Sequence, residues 1–315
     1  MRGGGGSTAD RETSASELAE PEAGPVDEHC RYVPAEPLRP YVAWYTGYRQ
    51  RGVPPATHRG LPSPYLTLIF TLDEPLTIVA HPDRGQPPGE FGTLLGGLHS
   101  VPALITHAGA QSGIQVALRP LGARALLGLP AGELAELDLP AEAVLGGVCA
   151  ELRDRVRSSA SWPERFAVLD EILLRRAGLR WAAHADVAPE VSWAWRELLR
   201  AGGAIRVSEL AAGTGWSERY LTGRFRAEIG LAPKAAARVI RFDRARKLLV
   251  QRLTVDGDYL LADLAADCGY FDQAHLAREF RALAGCPPSQ WLAEEFRNVQ
   301  AGNWLDEGAW ENQAR

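Results

Sequence analysis

The chain has 315 residues, 46% of them hydrophobic and 23% charged, and a net charge of −5. That length is about two ordinary domains, and the balance excludes a mostly disordered chain, a collagen-like repeat and a coiled-coil rod. No apolar run approaches the roughly 18 residues of a membrane-crossing helix. Cys30, Cys149, Cys268 and Cys286 stand far apart with no CxxC pair, so neither a disulfide framework nor a structural zinc site is expected and a reducing cytoplasm fits.

Residues 1–28 read as a disordered leader: glycines at 3–6, then Ser, Thr, Glu and Asp, without the apolar stretch of a signal peptide. Residues 29–185 read as a first domain. From Cys30 to Pro120 short apolar runs alternate with Pro and Gly clusters, predicting strands over Tyr65–Leu72, Leu76–Ala80, Phe91–Leu98, Ala103–His107 and Ile114–Leu118. After Pro120 the period turns helical, with short pieces over 121–127 and 131–137 and a longer amphipathic helix over 141–158. Ser161 with Pro163 and Glu164 opens a further helix reaching about Ala177. A loop over 178–189 marks the boundary to an all-helical domain at 190–298, followed by a tail at 299–315. The expected fold class is α+β in two domains: a β-rich, cupin-like sandwich or small barrel followed by helices, then an all-α domain.

The net charge hides an asymmetry. Between Ser217 and Arg252 there are 10 basic residues against 3 acidic ones, inside a chain that is acidic as a whole. A solvated helix face would do this, and so would a surface that meets phosphate.

That basic stretch lies within an internal repeat. Leu210, Ala211, Ala212, Gly215 and Trp216 recur 54 residues on as Leu264, Ala265, Ala266, Gly269 and Tyr270. One residue is then inserted, and Leu221, Phe225, Arg226, Gly230 and Pro233 recur 55 residues on as Leu276, Phe280, Arg281, Gly285 and Pro288. Each copy reads as a helix, a tight turn at Gly215 or Gly269, and a second helix capped by Ser217 or Asp272. Leu221 with Phe225, and Leu276 with Phe280, stand at i, i+4 and predict one buried face. This is helix-turn-helix grammar, in which the second helix enters the major groove of DNA. Between the copies, residues 234–252 predict a linker helix whose Arg238, Arg241, Arg244 and Lys247 fall near one flank and suit phosphate.

These residues resemble the AraC/XylS family of bacterial transcription regulators. The second copy carries the closer likeness, at Leu264, Ala265, Cys268, Gly269, Tyr270, Asp272, Leu276, Arg278, Phe280, Gly285 and Pro288, and the linker matches at Arg241, Ala245, Leu248 and Leu249. The likeness covers roughly Arg206 to Phe296. It implies two helix-turn-helix units docking in successive major-groove segments of double-stranded DNA. Base contacts would come from Gln273, Ala274, Ala277 and Arg278, with Arg219 and Thr222 in the first copy; Arg226 and Arg281 would join the linker cations on phosphate. Gly223 stands where the family has an Arg, so the first copy offers fewer base contacts. Residues 120–128 (PLGARALLG) resemble a subgroup whose N-terminal domain has no assigned ligand. The resemblance also implies a small-molecule effector or a homodimer formed through the N-terminal domain, RNA polymerase as a partner if the protein activates, and no membrane.

Other chemistries are less well supported. His58, His81, His99 and His107 match no metal-ligand spacing, and no pattern calls for a cofactor. Trp44, Tyr65 and Phe70 could line an apolar ligand pocket, though aromatic residues in a β domain more often pack its core. Cys268 falls at a turn where a small buried residue is expected. The rival readings are an enzymatic or small-molecule-binding β domain with a structural helical region, and an interaction protein acting through residues 141–177, the stretch also expected to form any dimer interface.

Overall fold

The computed structural model describes residues 24–180, 187–255 and 260–301. The N-terminal domain is built from β1 (Val26–Tyr32), β2 (Val42–Arg51), β3 (Ala56–Gly60), β4 (Leu66–Thr71), β5 (Leu76–Ala80), β6 (Gly89–Phe91), β7 (Thr93–Gly96), β8 (Ala103–His107), β9 (Ala110–Leu118) and β10 (Asp138–Leu139). Among the described residues they pair into a sheet of order β1-β2-β9-β4-β7-β10 and a second of order β3-β8-β5-β6. Strand alternation assigns the layers. Ile69 and Leu94 of the first sheet meet Leu76, Ile78 and Ile105 of the second, whereas Leu66, Leu68 and Phe70 turn the other way into the main core with the helices.

Those helices are α1 (Ala123–Leu127), α2 (Glu142–Leu145), α3 (Gly147–Ser158) and α4 (Trp162–Arg180). Two buried charges fasten α4. The Asp170 carboxylate accepts from the Tyr45 hydroxyl at 2.9 Å and from the Ala35 amide at 3.1 Å. The Arg176 guanidinium donates to the carbonyls of Leu126, Val144 and Leu145, backbone groups near the helix ends that the helices themselves leave open.

Several expectations need correction. β1 begins inside the stretch expected to be a disordered leader, with Val26, Asp27 and Glu28 paired to Arg51, Gln50 and Arg49. Its sequence, VDEHCRY, is polar, and the strand is held by the open edge of β2 rather than by an apolar pattern of its own. The stretch 91–98 does not form one strand: β6 belongs to one sheet and β7 to the other. The expected helix over 141–158 breaks at Gly146, where φ is 61°. Part of the boundary loop, the leader up to residue 23 and the tail from 302 lie outside the described residues.

The C-terminal domain comprises α5 (Pro189–Arg200), α6 (Val207–Thr214), α7 (Glu218–Ile229), α8 (Pro233–Val255), α9 (Leu261–Asp267), α10 (Gln273–Ala284) and α11 (Pro288–Ala301). The pairs α6/α7 and α9/α10 are the two copies of the repeat, and α8 joins them. One continuous cluster of buried side chains runs from Leu38 to Leu292 through both domains.

Candidate nucleic-acid interface

Each copy of the repeat folds by the same local rules. Gly215 and Gly269 both take left-handed backbone, with φ of 72°, which a side chain would strain. Ser217 then accepts from the Tyr220 amide at 3.3 Å and Asp272 from the His275 amide at 2.6 Å, closing the N-termini of α7 and α10. Leu221, Phe225, Leu276 and Phe280 are each 0% exposed. Phe225 packs on Trp195 with ring centres 6.1 Å apart, and Phe280 lies between Phe242 at 4.9 Å and Trp291 at 5.7 Å. These anchors fix the rotation of each helix about its axis and with it the positions that turn outward. Arg219 and Arg226 are exposed on α7; Gln273, Ala274, Arg278 and Arg281 are exposed on α10. Thr222 and Ala277 are half-buried, and Gly223 is exposed with nothing within 4 Å of where its Cβ would stand.

The linker cations do not share a face. Steps of three residues on a helix of 3.6 per turn drift by about 60° each, so three steps carry the last residue roughly half-way round. Arg238 pairs with Glu279 of α10 at 2.8 Å. The Arg241 guanidinium lies 5.6 Å from the centre of the Tyr270 ring. Arg244 is exposed. Lys247 faces the other domain: its ammonium is 2.6 Å from Asp243 and lies 5.7 Å and 5.9 Å from the Trp44 and Tyr65 rings. Lys247 is thus withdrawn from any phosphate surface, and Arg238 is tied to α10.

The same contacts correct the apolar pocket. Trp44 and Tyr65 pack edge to face at 4.5 Å beside Lys247, at the junction between domains, and Phe70 is core. A cleft of about 300 Å³ opens elsewhere in the β domain, lined in part by Tyr48, Glu74, Glu90, His107, Gln111 and Ser112. The sequence reading did not find it, because its polar residues come from separate strands with no shared motif.

Two of the histidines have ordinary partners. His81 is buried and donates from Nδ1 to Asp138 at 2.7 Å, and His99 donates to the Val101 carbonyl at 2.7 Å. His58 lies 6.1 Å from the His107 ring, and burial with His107 alongside lowers its pKa to about 4. Among the described residues no three His, Cys, Asp or Glu groups converge as a metal site. Burial pushes the Cys268 thiol up to about 11, leaving it protonated and unreactive. The outward faces of α3 and α4 carry ion pairs, Arg155 with Glu171 and Arg175 with Glu151. Both pairs lie within residues 141–177, the stretch expected to form any dimer interface.

The domain junction is the feature the sequence reading missed. Arg124 of α1 forks onto Glu228 of α7, with Nε and Nη2 each 2.8 Å from a carboxylate oxygen. The turn at Ala131–Leu134 sits so close to the end of α7 that a Cβ on Gly132 would lie 2.0 Å from the Ala227 carbonyl oxygen. Arg59 of β3 reaches Glu294 of α11 at 2.6 Å.

Two capped helix-turn-helix units of one repeat thus stand on a linking helix behind a β-sandwich. Residues 210–294 match the family described as a helix-turn-helix domain, and residues 30–140 match a domain of unknown function (DUF6597). The HTH-type transcriptional regulator Rv1931c of Mycobacterium tuberculosis is 32% identical over 118 residues, 38% of this chain and 43% of that protein. The chain thus spans less than half the length of that relative. Among solved structures, ToxT of Vibrio cholerae is 12% identical with a TM-score of 0.45, over 79% of this chain and 97% of that one. The C-terminal domain of AraT from Geobacillus stearothermophilus is 20% identical with a TM-score of 0.30, over 34% and 86%. The C-terminal part of the chain is thus similar to the helix-turn-helix domains of transcription regulators, with a second matched domain in front of it. No helix among the described residues is long and apolar enough to cross a membrane.

Proposed function

We propose that the protein is a cytoplasmic, sequence-specific regulator that lays α7 and α10 into successive major-groove segments on one side of duplex DNA. The observation that carries this is the pair of N-capped helices, each burying a Leu and a Phe and exposing polar and basic residues. Gln273 and Arg278 have the donors and acceptors to read adenine and guanine edges. Arg219 and Thr222 are the base-reading candidates of α7, with Ala274 and Ala277 leaving room for close approach on α10. Arg226, Arg281 and Arg244 supply the exposed charge for phosphate; Arg241, packed on Tyr270, is a less direct candidate.

The N-terminal domain is the input side in this reading. A small polar effector fits the cleft of about 300 Å³ better than the Trp44 and Tyr65 junction, and its signal would pass through the contact of residues 124–134 with α7. The test is binding of the purified full chain to a random duplex pool at several salt concentrations. Selection of a preferred site, with affinity falling steeply as salt rises, is the expected result. A folded chain with no preferred sequence and no affinity at low salt would overturn the reading.

A further inference from the structure

Phe271 is 91% exposed, the most exposed of the large apolar side chains among the described residues. It is also the residue inserted in the second copy of the repeat: Gly215, Trp216 and Ser217 correspond to Gly269, Tyr270 and Asp272, leaving Phe271 without a counterpart. It stands immediately before the cap of α10, at the end of a recognition helix that meets base edges. Its backbone is held rather than loose. The Phe271 amide donates to His275 Nδ1 at 3.3 Å, and the His275 ring in turn packs edge to face on Tyr270 at 5.3 Å. An aromatic ring is thus projected into water from a fixed backbone, continuous with the exposed Gln273, Ala274 and Arg278.

We propose that Phe271 is a specificity residue that packs its ring against the C5-methyl group of a thymine in the segment read by α10. Apolar contact with that methyl is the one base-edge interaction a phenyl ring can make in the major groove. The basic surroundings favour DNA over a second apolar protein surface: Arg278 and Arg281 are exposed on the same helix, within a domain of the helix-turn-helix family. This inference rests on the reading that α10 lies in the groove.

The experiment uses the full chain and its preferred duplex, found by selection from a random pool. Each thymine in the duplex is replaced singly by deoxyuridine, which removes only the methyl group, and affinity is measured for the wild type, Phe271→Ala and Phe271→Leu. One replacement should weaken the wild type about fourfold, the scale of one buried methyl-sized group. Phe271→Ala should be indifferent to that same replacement, and Phe271→Leu should keep part of the response. A wild type insensitive to every replacement, or an equal penalty in wild type and Phe271→Ala, overturns the proposal while leaving DNA binding intact. A DNA-free dimer that Phe271→Ala converts to monomer, with an unchanged deoxyuridine profile, overturns it in favour of a self-association contact. A wild type that selects no sequence takes down this inference and the broader reading together.

Discussion

The same substitution, glycine to alanine, should have opposite signs at two positions on the two sides of the domain junction. At Gly132 the added methyl carbon would stand 2.0 Å from the Ala227 carbonyl oxygen, 2.6 Å from its carbon and 2.8 Å from the Arg226 carbonyl oxygen. All three are backbone atoms of α7, so no rotamer change relieves the clash. The turn at Ala131–Leu134 and the end of α7 must part by about 1 Å, a gap that forfeits up to about half of the dispersion attraction across it. A cost of about 1–3 kcal/mol follows from such overpacking. At Gly223 nothing lies within 4 Å of the new methyl, and the position is inside α7 with ordinary helical neighbours. Alanine there should stabilise by about 0.5–1 kcal/mol, since it removes backbone freedom from the unfolded chain. Urea unfolding of the full chain, followed by circular dichroism, measures both. The midpoint should fall for Gly132→Ala and rise for Gly223→Ala, with unchanged slopes. A Gly132→Ala protein as stable as the wild type would refute the close packing of the two domains.

Removing Arg124 and Glu228 singly and together should give a coupling of about 1–2 kcal/mol in a double-mutant cycle, because the pair is bidentate and partly sheltered; additive losses would mean the pair is broken in solution. Asp272→Ala should cost about 1 kcal/mol through loss of the α10 cap, and Asp272→Ser should recover most of it, both read from urea midpoints. Arg278→Ala should relax preference at one or two base pairs of a selected site, whereas Arg244→Ala should weaken all duplexes alike and lower the salt slope by about one; a uniform loss from Arg278→Ala would assign that side chain to phosphate. Stability should fall as pH drops from about 6.5 toward 4, because the unfolded histidine takes up a proton in that window while buried His58 remains neutral until about 4. His58→Gln should flatten that part of the urea-midpoint profile against pH, and an unchanged slope would assign the acid sensitivity to other groups.

The repeat was legible because helix-turn-helix units are written in local rules. A left-handed glycine, a side-chain cap and an i, i+4 apolar pair all fall within about fifteen residues, and those spacings place Gly215, Ser217, Leu221 and Phe225 without knowledge of the rest of the chain. Strands with strong β-forming runs, β5 and β8, were equally plain. β1 was not, because a polar strand is held by its neighbour rather than by its own pattern. The row of linker cations misled for a related reason: a three-residue period looks like one face in the sequence, yet it winds round a helix of 3.6 residues per turn, and only the fold shows that Lys247 ends beside Trp44.

The junction lay beyond sequence reasoning altogether, since Arg124 and Glu228 are 104 residues apart and nothing in either neighbourhood announces the other. Its position has a mechanical consequence. The N-terminal domain grips α7 near its C-terminal end, at Glu228 and Ala227, while the residues proposed to meet base edges, Arg219 and Thr222, lie in its first turns. Attachment there leaves the first turn of α7 exposed. α10 reaches the β domain through different contacts, by way of α11 and the pair of Glu294 with Arg59. In the proposed reading, α7 held by α1 and the turn at Ala131–Leu134, and α10 held through α11 by β3, would lose their common alignment if those parts of the N-terminal domain moved apart. That alignment is what the proposed docking in successive groove segments requires, so the spacing between the two proposed base-contact patches is the quantity an effector would have to alter.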